Sequence, residues 1–414
     1  MGELVTRHRG FRARLHLTAA QEAQLDQQAH AARALWNLLH ELFTIAGARR
    51  PPFSRMDSEI RWARANVDWL AVLPAQAAQA VLKTYRRSWL NCWEGRSSAP
   101  TYKSRARAVP AVDVPQGRDL HVARVHRRWG MVNIPKIGRV RFRWTRDLPG
   151  VTRSGPAGRI TGARLIKDAL GWHIVFRAEC KTPAPNKPTR DAPHVGIDRG
   201  VAVPLALSDS TFYVHGPWLD EGEEACLLRV QQQAAHREQY RKQGERASKR
   251  LSAVYGQIRD LRARAKRRVL DWQHKVTSAI AENYALVSVE ELDVVRMVKS
   301  ASGTVEVPGV HVAQKSGLNR AIASEAWGRT VELLAYKVAE RGGCLVEVPA
   351  PGTSLRCSEC GVVSPGSRES QSRFRCRNPE CGWTGNADFN ASRNIDQAGL
   401  VLASAAGRAV VRQT

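Results

Sequence analysis

The chain has 414 residues, with 64 Lys or Arg against 38 Asp or Glu, and a formal net charge of +26. Its hydrophobic content of 43% excludes a wholly disordered chain, and its 31 glycines and 20 prolines exclude a collagen-like one. No apolar run approaches the roughly 18 residues of a membrane helix, and Met1–Gly10 lacks the apolar part of a secretory signal. We expect a cytoplasmic protein of two or three domains that binds a polyanion.

The positive charge is concentrated in the N-terminal part of the chain. Residues 1–190 carry 34 basic and 13 acidic side chains, whereas residues 191–414 carry 30 and 25. Only 13 of the 64 basic residues are Lys. Arg pairs with phosphate and stacks on bases, although a GC-rich genome would also favour Arg over Lys without explaining the excess over acids. The N-terminal part is therefore predicted to bind nucleic acid.

The first predicted elements are one strand and three helices. Alternating apolar and basic residues over 11–17 predict a half-buried strand with one cationic face. Thr18 and Gln21 form a capping-box pattern, and further helices are predicted near 56–70 and from Pro74. The last helix carries an aromatic face: Val81, Tyr85, Trp89 and Trp93. Such a face could stack on bases, but at helical spacing it is more often part of a core.

The chain then changes from helices to short strands. Residues 140–144 and 172–177 have the pattern of strands, so 100–180 is predicted to form a β-rich module. This module shares the first strand and contains the helices of 18–97 as an insertion. Residues 181–193, rich in Pro and Lys, form a predicted linker.

From residue 194 onward strands and helices alternate, which predicts an α/β sheet domain. Strands are expected over 194–207, 285–289 and 344–348, and helices over 223–283 and 318–340. Residues 296–317 have little periodicity and are expected to form a mobile loop.

Three carboxylates stand at the boundaries of these elements. Asp198 ends an apolar strand before a glycine turn, Glu290 ends the next one, and Asp388 lies at the start of the last helix. Acids at such boundaries can converge at one edge of a sheet, where divalent cations relieve their repulsion. Two Mg²⁺ ions about 4 Å apart would activate a water and stabilise the leaving oxygen of a phosphodiester. Taken singly, each acid is more often a helix cap or a surface charge.

Four of the eight cysteines form a metal-binding pattern. The spacing is Cys357-x2-Cys360 followed, after fifteen residues, by Cys376-x4-Cys381. Four thiolates bind Zn²⁺ tetrahedrally and leave no open position for a catalytic water, so the sequence predicts a structural zinc ribbon. Redox or disulfide chemistry is the weaker alternative. The other four cysteines are scattered and are expected to be ordinary buried thiols.

These motifs, in this order, resemble those of the TnpB (OrfB) family of transposon-encoded RNA-guided nucleases, from which compact type V CRISPR effectors descend. The resemblance rests on Gly196–Gly200, Val289–Leu292, Thr353-Ser354 before the first cysteine pair, and Asp388-x-Asn390-Ala391. Thr101–Ser104 is similar to the family's "PxFK" segment. The similarity spans nearly the whole chain and is strongest from 194 to 396.

The resemblance implies a multidomain α/β protein. An RNase H-like (RuvC) nuclease domain would contain an inserted zinc ribbon, and a β-barrel-like wedge module would contain an inserted helical recognition domain. The implied boundaries are 1–17 for the first wedge strand, 18–99 for the recognition domain, 100–185 for the remaining wedge strands, 186–352 for the RuvC-like domain, 353–385 for the zinc ribbon that binds target nucleic acid, and 386–414 for the last RuvC-like motif and the tail.

The resemblance also implies an RNA-guided DNA endonuclease that recognises a short motif beside its target. Asp198, Glu290 and Asp388 match the family's acids and would bind two Mg²⁺ ions, with Glu290 preferred over Glu291 because it holds the first acidic place in the motif. The four cysteines match its ligands for one structural Zn²⁺. The candidate nucleic-acid contacts are Arg12, Arg14, Tyr102, Lys103, Arg105, Lys136, Arg139 and Arg141.

The expected partners are a guide RNA, transposon-derived or CRISPR-derived, and target double-stranded DNA in the prokaryotic nucleoid. The recognition helices are few and short, so a second copy of the chain or a large RNA scaffold is expected to help hold the heteroduplex. Two alternative functions stay open. One is an RNA-guided repressor that binds DNA with little cleavage, and the other is a transposase-associated nuclease or junction resolvase that acts without a guide.

Overall fold

The computed structural model describes residues 4–47, 50–184, 192–242, 244–304 and 307–405. The chain divides into two compact units, one formed by Val5–Thr182 and the other essentially by Pro183–Thr414. Most of the predicted linker, at 185–191, and the tail beyond residue 405 lie outside the described residues. Every helix of the described ranges is too short or too polar to cross a membrane.

The first unit begins with a strand and four helices. They are β1 (Leu4–His16), α1 (Ala19–Ile45), α2 (Phe53–Asn66), α3 (Asp68–Ala71) and α4 (Ala75–Trp93). The predicted capping box is confirmed, since Gln21 N–H donates to Thr18 Oγ1 at 3.3 Å and Thr18 N–H donates to Gln21 Oε1 at 3.1 Å. Residues 11–15 keep the predicted alternation, with Phe11 and Leu15 buried and the arginines between them exposed.

A seven-stranded sheet completes this unit. The further strands are β2 (Ala111–Val114), β3 (Ala123–His126), β4 (Trp129–Ile134), β5 (Gly138–Arg143), β6 (Gly158–Asp168) and β7 (Gly171–Pro183). The strand order is β2-β6-β7-β1-β5-β4-β3, so β1 lies in the middle of the sheet although α1–α4 separate it from β2 in sequence. Sheet and helices share one hydrophobic core, which includes Leu35 and Tyr85 from the helices and Phe142 and Phe176 from the strands.

The second unit is built around a five-stranded sheet. Its strands are β8 (His194–Asp198), β9 (Leu205–Leu207), β10 (Phe212–Tyr213), β11 (Leu286–Glu291) and β12 (Cys344–Pro349). The order is β10-β9-β8-β11-β12; β8, β11 and β12 are mutually parallel, and β9 is antiparallel to β8. A small hairpin of β13 (Arg373–Arg375) and β14 (Thr384–Asn386) lies in the cysteine-rich segment.

The helices of this unit are α5 (Glu221–Glu238), α6 (Lys249–Asn283), α7 (Val294–Met297), α8 (Val312–Glu325), α9 (Trp327–Glu340) and α10 (Ala387–Ala405). The predicted helical region 223–283 is thus two helices that pack against each other through Val230 and Val254. Gly244, with φ of +85°, and the N-cap Ser248 mark the break between them. The loop expected to end at residue 317 ends earlier, because α8 begins at Val312; this helix buries few residues and has no apolar stripe.

Helices cover both faces of the five-stranded sheet. Val287 and Val289 pack against α6 and α9, whereas Leu286 and Val346 pack against α10, as the alternation along a strand requires. Gly196 lies where α10 crosses β8. A Cβ at this position would approach the backbone oxygen of Ser392 to 2.1 Å, so only glycine lets the helix lie this close to the strand.

Candidate active site

The three sequence-predicted acids lie at one edge of the five-stranded sheet. Asp198 ends β8, and Glu290 lies in the neighbouring parallel strand, one residue beyond the paired residues Val289 and Ile197. Asp388 lies in the first turn of α10. The Oδ1 atom of Asn386 accepts hydrogen bonds from the N–H of Asp388 at 2.9 Å and from the N–H of Phe389 at 3.0 Å. The ends of β8 and β11 and the cap of α10 together place all three carboxylates at this edge.

Asp198 lies close enough to the other two carboxylates for their charges to affect its protonation. Burial, followed by the charges of Glu290 and Asp388, raises the pKa of Asp198 to about 7. Burial also raises the pKa of Glu290 and that of Asp388. By contrast, the adjacent Glu291 is exposed. Partly desolvated carboxylates that repel one another favour a bound cation.

Arg368 also belongs to this cluster, and sequence reasoning missed it. Its Nη2 donates hydrogen bonds to Asp388 Oδ1 at 3.2 Å and to the backbone oxygen of Gln371 at 2.9 Å. Its charge acts to lower the pKa of Asp198, Glu290 and Asp388, against the effect of burial. Arg368 lies in the loop between the two cysteine pairs, and no local pattern distinguishes it from the many other arginines of the chain.

Polar side chains fix the orientation of Glu290 and of the segment that follows β12. The Thr353 hydroxyl donates to a carboxylate oxygen of Glu290, and the Arg199 guanidinium donates to the backbone oxygen of Glu290. Thr353 is buried, so this hydrogen bond is shielded from water. The Thr353-Ser354 motif of the sequence therefore contributes directly to the carboxylate cluster.

Two buried asparagines of α10 hold the same segment. Asn390 accepts a hydrogen bond from Ser358 N–H at 2.9 Å and donates to the backbone oxygen of Arg356 at 2.7 Å. Asn394 donates to the backbone oxygens of Thr353 at 2.8 Å and Arg356 at 2.7 Å. The helix that carries Asp388 is thus attached to the segment that contains the first cysteine, which explains why Asn390 belongs to the motif.

The four predicted zinc ligands converge. All four Sγ atoms lie within 4.8 Å of one another, with Cys357 and Cys381 at 3.9 Å and Cys360 and Cys376 at 3.5 Å. Tetrahedral Zn–S bonds of about 2.3 Å require sulfur atoms about 3.8 Å apart, so the cluster fits this ion. Among the described residues, no three carboxylates or histidines are grouped this tightly.

The candidate nucleic-acid contacts lie in the first unit. Seven of the eight are exposed: Arg12, Arg14, Tyr102, Arg105, Lys136, Arg139 and Arg141. β1 pairs with β5, and the burial pattern places Arg12 and Arg14 of β1 and the arginines of β5 on the face away from the core, whereas Arg7 and Arg9 alternate to the half-buried side. Lys103 is half-buried, with Nζ 3.4 Å from the centroid of the Trp36 ring, and burial together with the charge of Arg164 lowers its pKa to about 8.

The structure therefore defines a class of protein. It is a multidomain α/β protein with a cluster of acids at a sheet edge and a four-cysteine cluster. A family model described as "Probable transposase" (OrfB_IS605) matches residues 177–301, and one described as "Cas12f1-like, TNB domain" matches 327–395. The chain is 32% identical over 402 residues to the "Putative RNA-guided DNA endonuclease InsQ" of Escherichia coli (strain K12), covering 95% of this chain and 92% of that protein. A relative of similar description from Streptomyces pristinaespiralis is 25% identical over 409 residues, which is 96% of this chain and 91% of the relative.

The chain therefore belongs to the TnpB (OrfB) family. Among solved structures, the fold is similar to that of the protein in a cryo-EM structure of a Cas12f1–sgRNA–target DNA complex. The TM-score is 0.53 at 13% identity, and the match covers 95% of this chain and 99% of that one.

Proposed function

We propose that the chain is an RNA-guided DNA endonuclease whose cleavage site is formed by Asp198, Glu290 and Asp388. The observation that carries the proposal is the convergence of these three acids, distant in sequence, at one edge of a sheet. Two full-length relatives are named as RNA-guided DNA endonucleases, which supports the same reaction. Guide RNA and target DNA are accordingly the proposed partners, with base pairing supplying sequence specificity.

The topology supports an RNase H-like (RuvC) assignment for the second unit. Three parallel strands are extended on one side by an antiparallel pair, and helices cover both faces. In the first unit, α1–α4 enter between β1 and β2, which supports a recognition domain at 18–99 inserted in a wedge module at 1–17 and 100–185. In the second, we propose the nuclease domain at 186–352, the zinc ribbon at 353–385 and the last motif at 386–414. Closure of the seven-stranded sheet into a barrel stays a prediction.

The acid cluster suits Mg²⁺, which prefers hard oxygen ligands. Asp198, Glu290 and Asp388 supply carboxylate oxygens only, and in the proposed site they would hold two such ions. Bound there, the ions would activate a water and stabilise the leaving oxygen of the phosphodiester. No other metal chemistry is needed.

The chain's own residues prepare this site. Thr353 orients Glu290, and Asn386 caps α10 so that Asp388, in the first turn of this helix, lies at the sheet edge. The guanidinium of Arg368 offsets part of the negative charge and offers a donor to the scissile phosphate. The cysteine cluster, filled by one structural Zn²⁺, would keep the loop that contains Arg368 folded.

The deciding experiment is cleavage of a plasmid that matches the guide, using protein purified together with its own RNA and with Mg²⁺ present. Asp198→Asn keeps the size of the side chain and removes its charge, so we expect loss of cutting with RNA and DNA binding retained. Unchanged cutting by this variant would contradict the proposal. Tight guided binding by the wild type without cutting would favour the repressor, and full cutting after removal of RNA would favour a guide-independent nuclease.

A further inference from the structure

An aromatic column connects the core of the first unit to its surface. We use this name for Phe43 of α1 and for Tyr85, Trp89 and Trp93 of α4. The Trp89 ring stacks on that of Phe43, with centroids 4.4 Å apart and an interplanar angle of 24°, and on that of Trp93, at 5.8 Å and 28°. Tyr85 meets Trp89 edge-on at 6.5 Å. Phe43, Trp89 and Trp93 thus form a stack between α1 and the end of α4, and Tyr85 contacts its inner side edge-on.

The column is not simply part of the core, because its exposure increases along the helix. Tyr85 is 1% exposed, Trp89 and Phe43 are half-buried, and Trp93 is 50% exposed. Ile45, near the end of α1, is 77% exposed. Exposed large apolar side chains that extend from a packed core can mark an interaction site.

A cation lies over the exposed end of the column. The Arg50 guanidinium carbon is 4.8 Å from the centroid of the Trp93 ring and 5.7 Å from that of Phe43. An arginine in this position stacks on the ring and can also pair with a phosphate. On α4 itself, Lys83, Arg86 and Arg87 are all exposed, so the surroundings are cationic.

We propose that Trp93 and Arg50 form a stacking site for one unpaired base of a single nucleic-acid strand, with the base on the indole ring and the adjoining phosphate on the guanidinium. An unpaired base offers a free π-face, whereas bases inside a duplex are covered by their neighbours. The cationic side chains around the site favour a polyanionic ligand, because each phosphate that they neutralise releases counterions and strengthens binding. Every base has a π-face that can stack on an indole ring, so the site accepts any base. The inference rests on the proposed function only for the nature of the ligand.

The test compares two strands of equal length, one of oligothymidylate and one whose nucleotides lack bases. Binding of each to the full-length protein is followed by fluorescence anisotropy without divalent ions. We expect Trp93→Ala to weaken binding of the thymidylate strand about tenfold and to leave the abasic strand unchanged. Trp93→Phe should restore most of the affinity. A single 4-thiothymidine in the strand should cross-link to the peptide that contains Trp93.

The salt dependence separates the two residues. Trp93→Ala should leave the slope of log affinity against log salt unchanged, whereas Arg50→Ala should reduce its magnitude by about 0.7, the value for one phosphate of a single strand. The matched control is Trp62→Ala, since Trp62 is 63% exposed and makes no ring contact among the described residues. It should bind both strands as the wild type does. Thermal unfolding checks that each variant remains folded.

Several results would overturn the inference: equal weakening on both strands, no weakening on either, or self-association of the wild type that Trp93→Ala abolishes while strand affinity is unchanged. The proposed function fails separately. If guided cleavage is absent while the base-dependent effect of Trp93 persists, the proposed nuclease function is contradicted and the stacking site is supported. If cleavage depends on Asp198 while Trp93→Ala binds both strands normally, only the stacking site is lost.

Discussion

The two units of the chain use charge in opposite ways. In the first unit, Arg12 and Arg14 of β1 and the arginines of β5 lie on the outer face of the sheet, and most of the candidate contacts are exposed to solvent. In the second unit, Asp198, Glu290 and Asp388 are partly buried, and burial raises the pKa of each. Holding a polyanion requires many screened charges, each of small effect, whereas hydrolysis requires a few charges that are desolvated and convergent.

The comparison predicts unequal sensitivity to substitution. An exposed arginine acts through its own phosphate contact, so losses on the cationic face should be small and nearly additive. In the proposed site, a carboxylate would act together with its neighbours and with bound ions, so its loss should abolish the function of the whole site. The variants below test this difference, from the largest expected effect to the smallest.

The sharpest test uses two adjacent glutamates. Glu290→Gln should lower guided DNA cleavage by about a thousandfold or more, because removal of an ion ligand raises the barrier by several kcal/mol. Glu291→Gln changes an exposed neighbour and should cleave nearly as the wild type does. Cleavage rates at saturating Mg²⁺, with RNA binding measured in parallel, provide the comparison. Equal losses for the two variants would remove the distinction between buried and exposed acids.

The cysteine cluster should matter to both folding and cleavage. We expect one zinc ion per chain by elemental analysis, and Cys376→Ser should lose it and lower the thermal unfolding midpoint. Cleavage should fall as well, because Asn390 and Thr353 link this segment to the acids. Cys92→Ser, in the other unit, is the control and should keep the zinc. Full zinc content in Cys376→Ser would show that the cluster is not the zinc site.

Substitution of Arg368 tests whether a cation contributes to the function of the acid cluster. Arg368→Ala should reduce cleavage about a hundredfold, the usual cost of removing one preorganised donor, while zinc content and guide binding persist. Arg368→Lys should recover part of the activity, since a lysine supplies charge without the planar fork. A rate equal to that of the wild type would mean that the contact with Asp388 serves folding alone.

Substitution of Gly196 tests how tightly α10 must pack for the acids to meet, and substitution of Gly256 is the control. Gly196→Ala should lower the free energy of unfolding by about 2–3 kcal/mol, because its Cβ would clash with the backbone of α10. Gly256→Ala, in α6, meets nothing within 4 Å and should raise that free energy by about 0.5–1 kcal/mol. Urea unfolding measures both. A neutral effect of Gly196→Ala would mean that α10 can move away from β8 at little cost.

The smallest effects are expected on the cationic face of the first unit. Arg139→Ala and Arg141→Ala should each weaken guide-RNA binding a few-fold and reduce the salt slope by about 0.7–0.9. The double variant should be nearly additive. Cooperative loss of binding would indicate that this face, like the acid cluster, acts as a single site.

Much of the local architecture could be predicted from the sequence. The capping box at Thr18, the apolar strands that end at Asp198 and Glu290, and the spacing of the four cysteines all depend on residues near one another in the chain. The break between α5 and α6 was missed, although Gly244 and Ser248 were available as signals. The early start of α8 carried no such signal, because that helix has no apolar stripe.

The division of charge, the order of most strands and helices, and the positions of the candidate acids and cysteines could be read from composition, periodicity and spacing. The choice of Glu290 over Glu291 followed from the family resemblance. Three facts required the folded structure: Arg368 contacts Asp388, Gly196 lets α10 lie against β8, and Trp93 forms the exposed end of the aromatic column. These three facts depend on how helices and loops rotate against distant strands. Such packing is set by the sum of many weak contacts across the chain, and no local pattern encodes it.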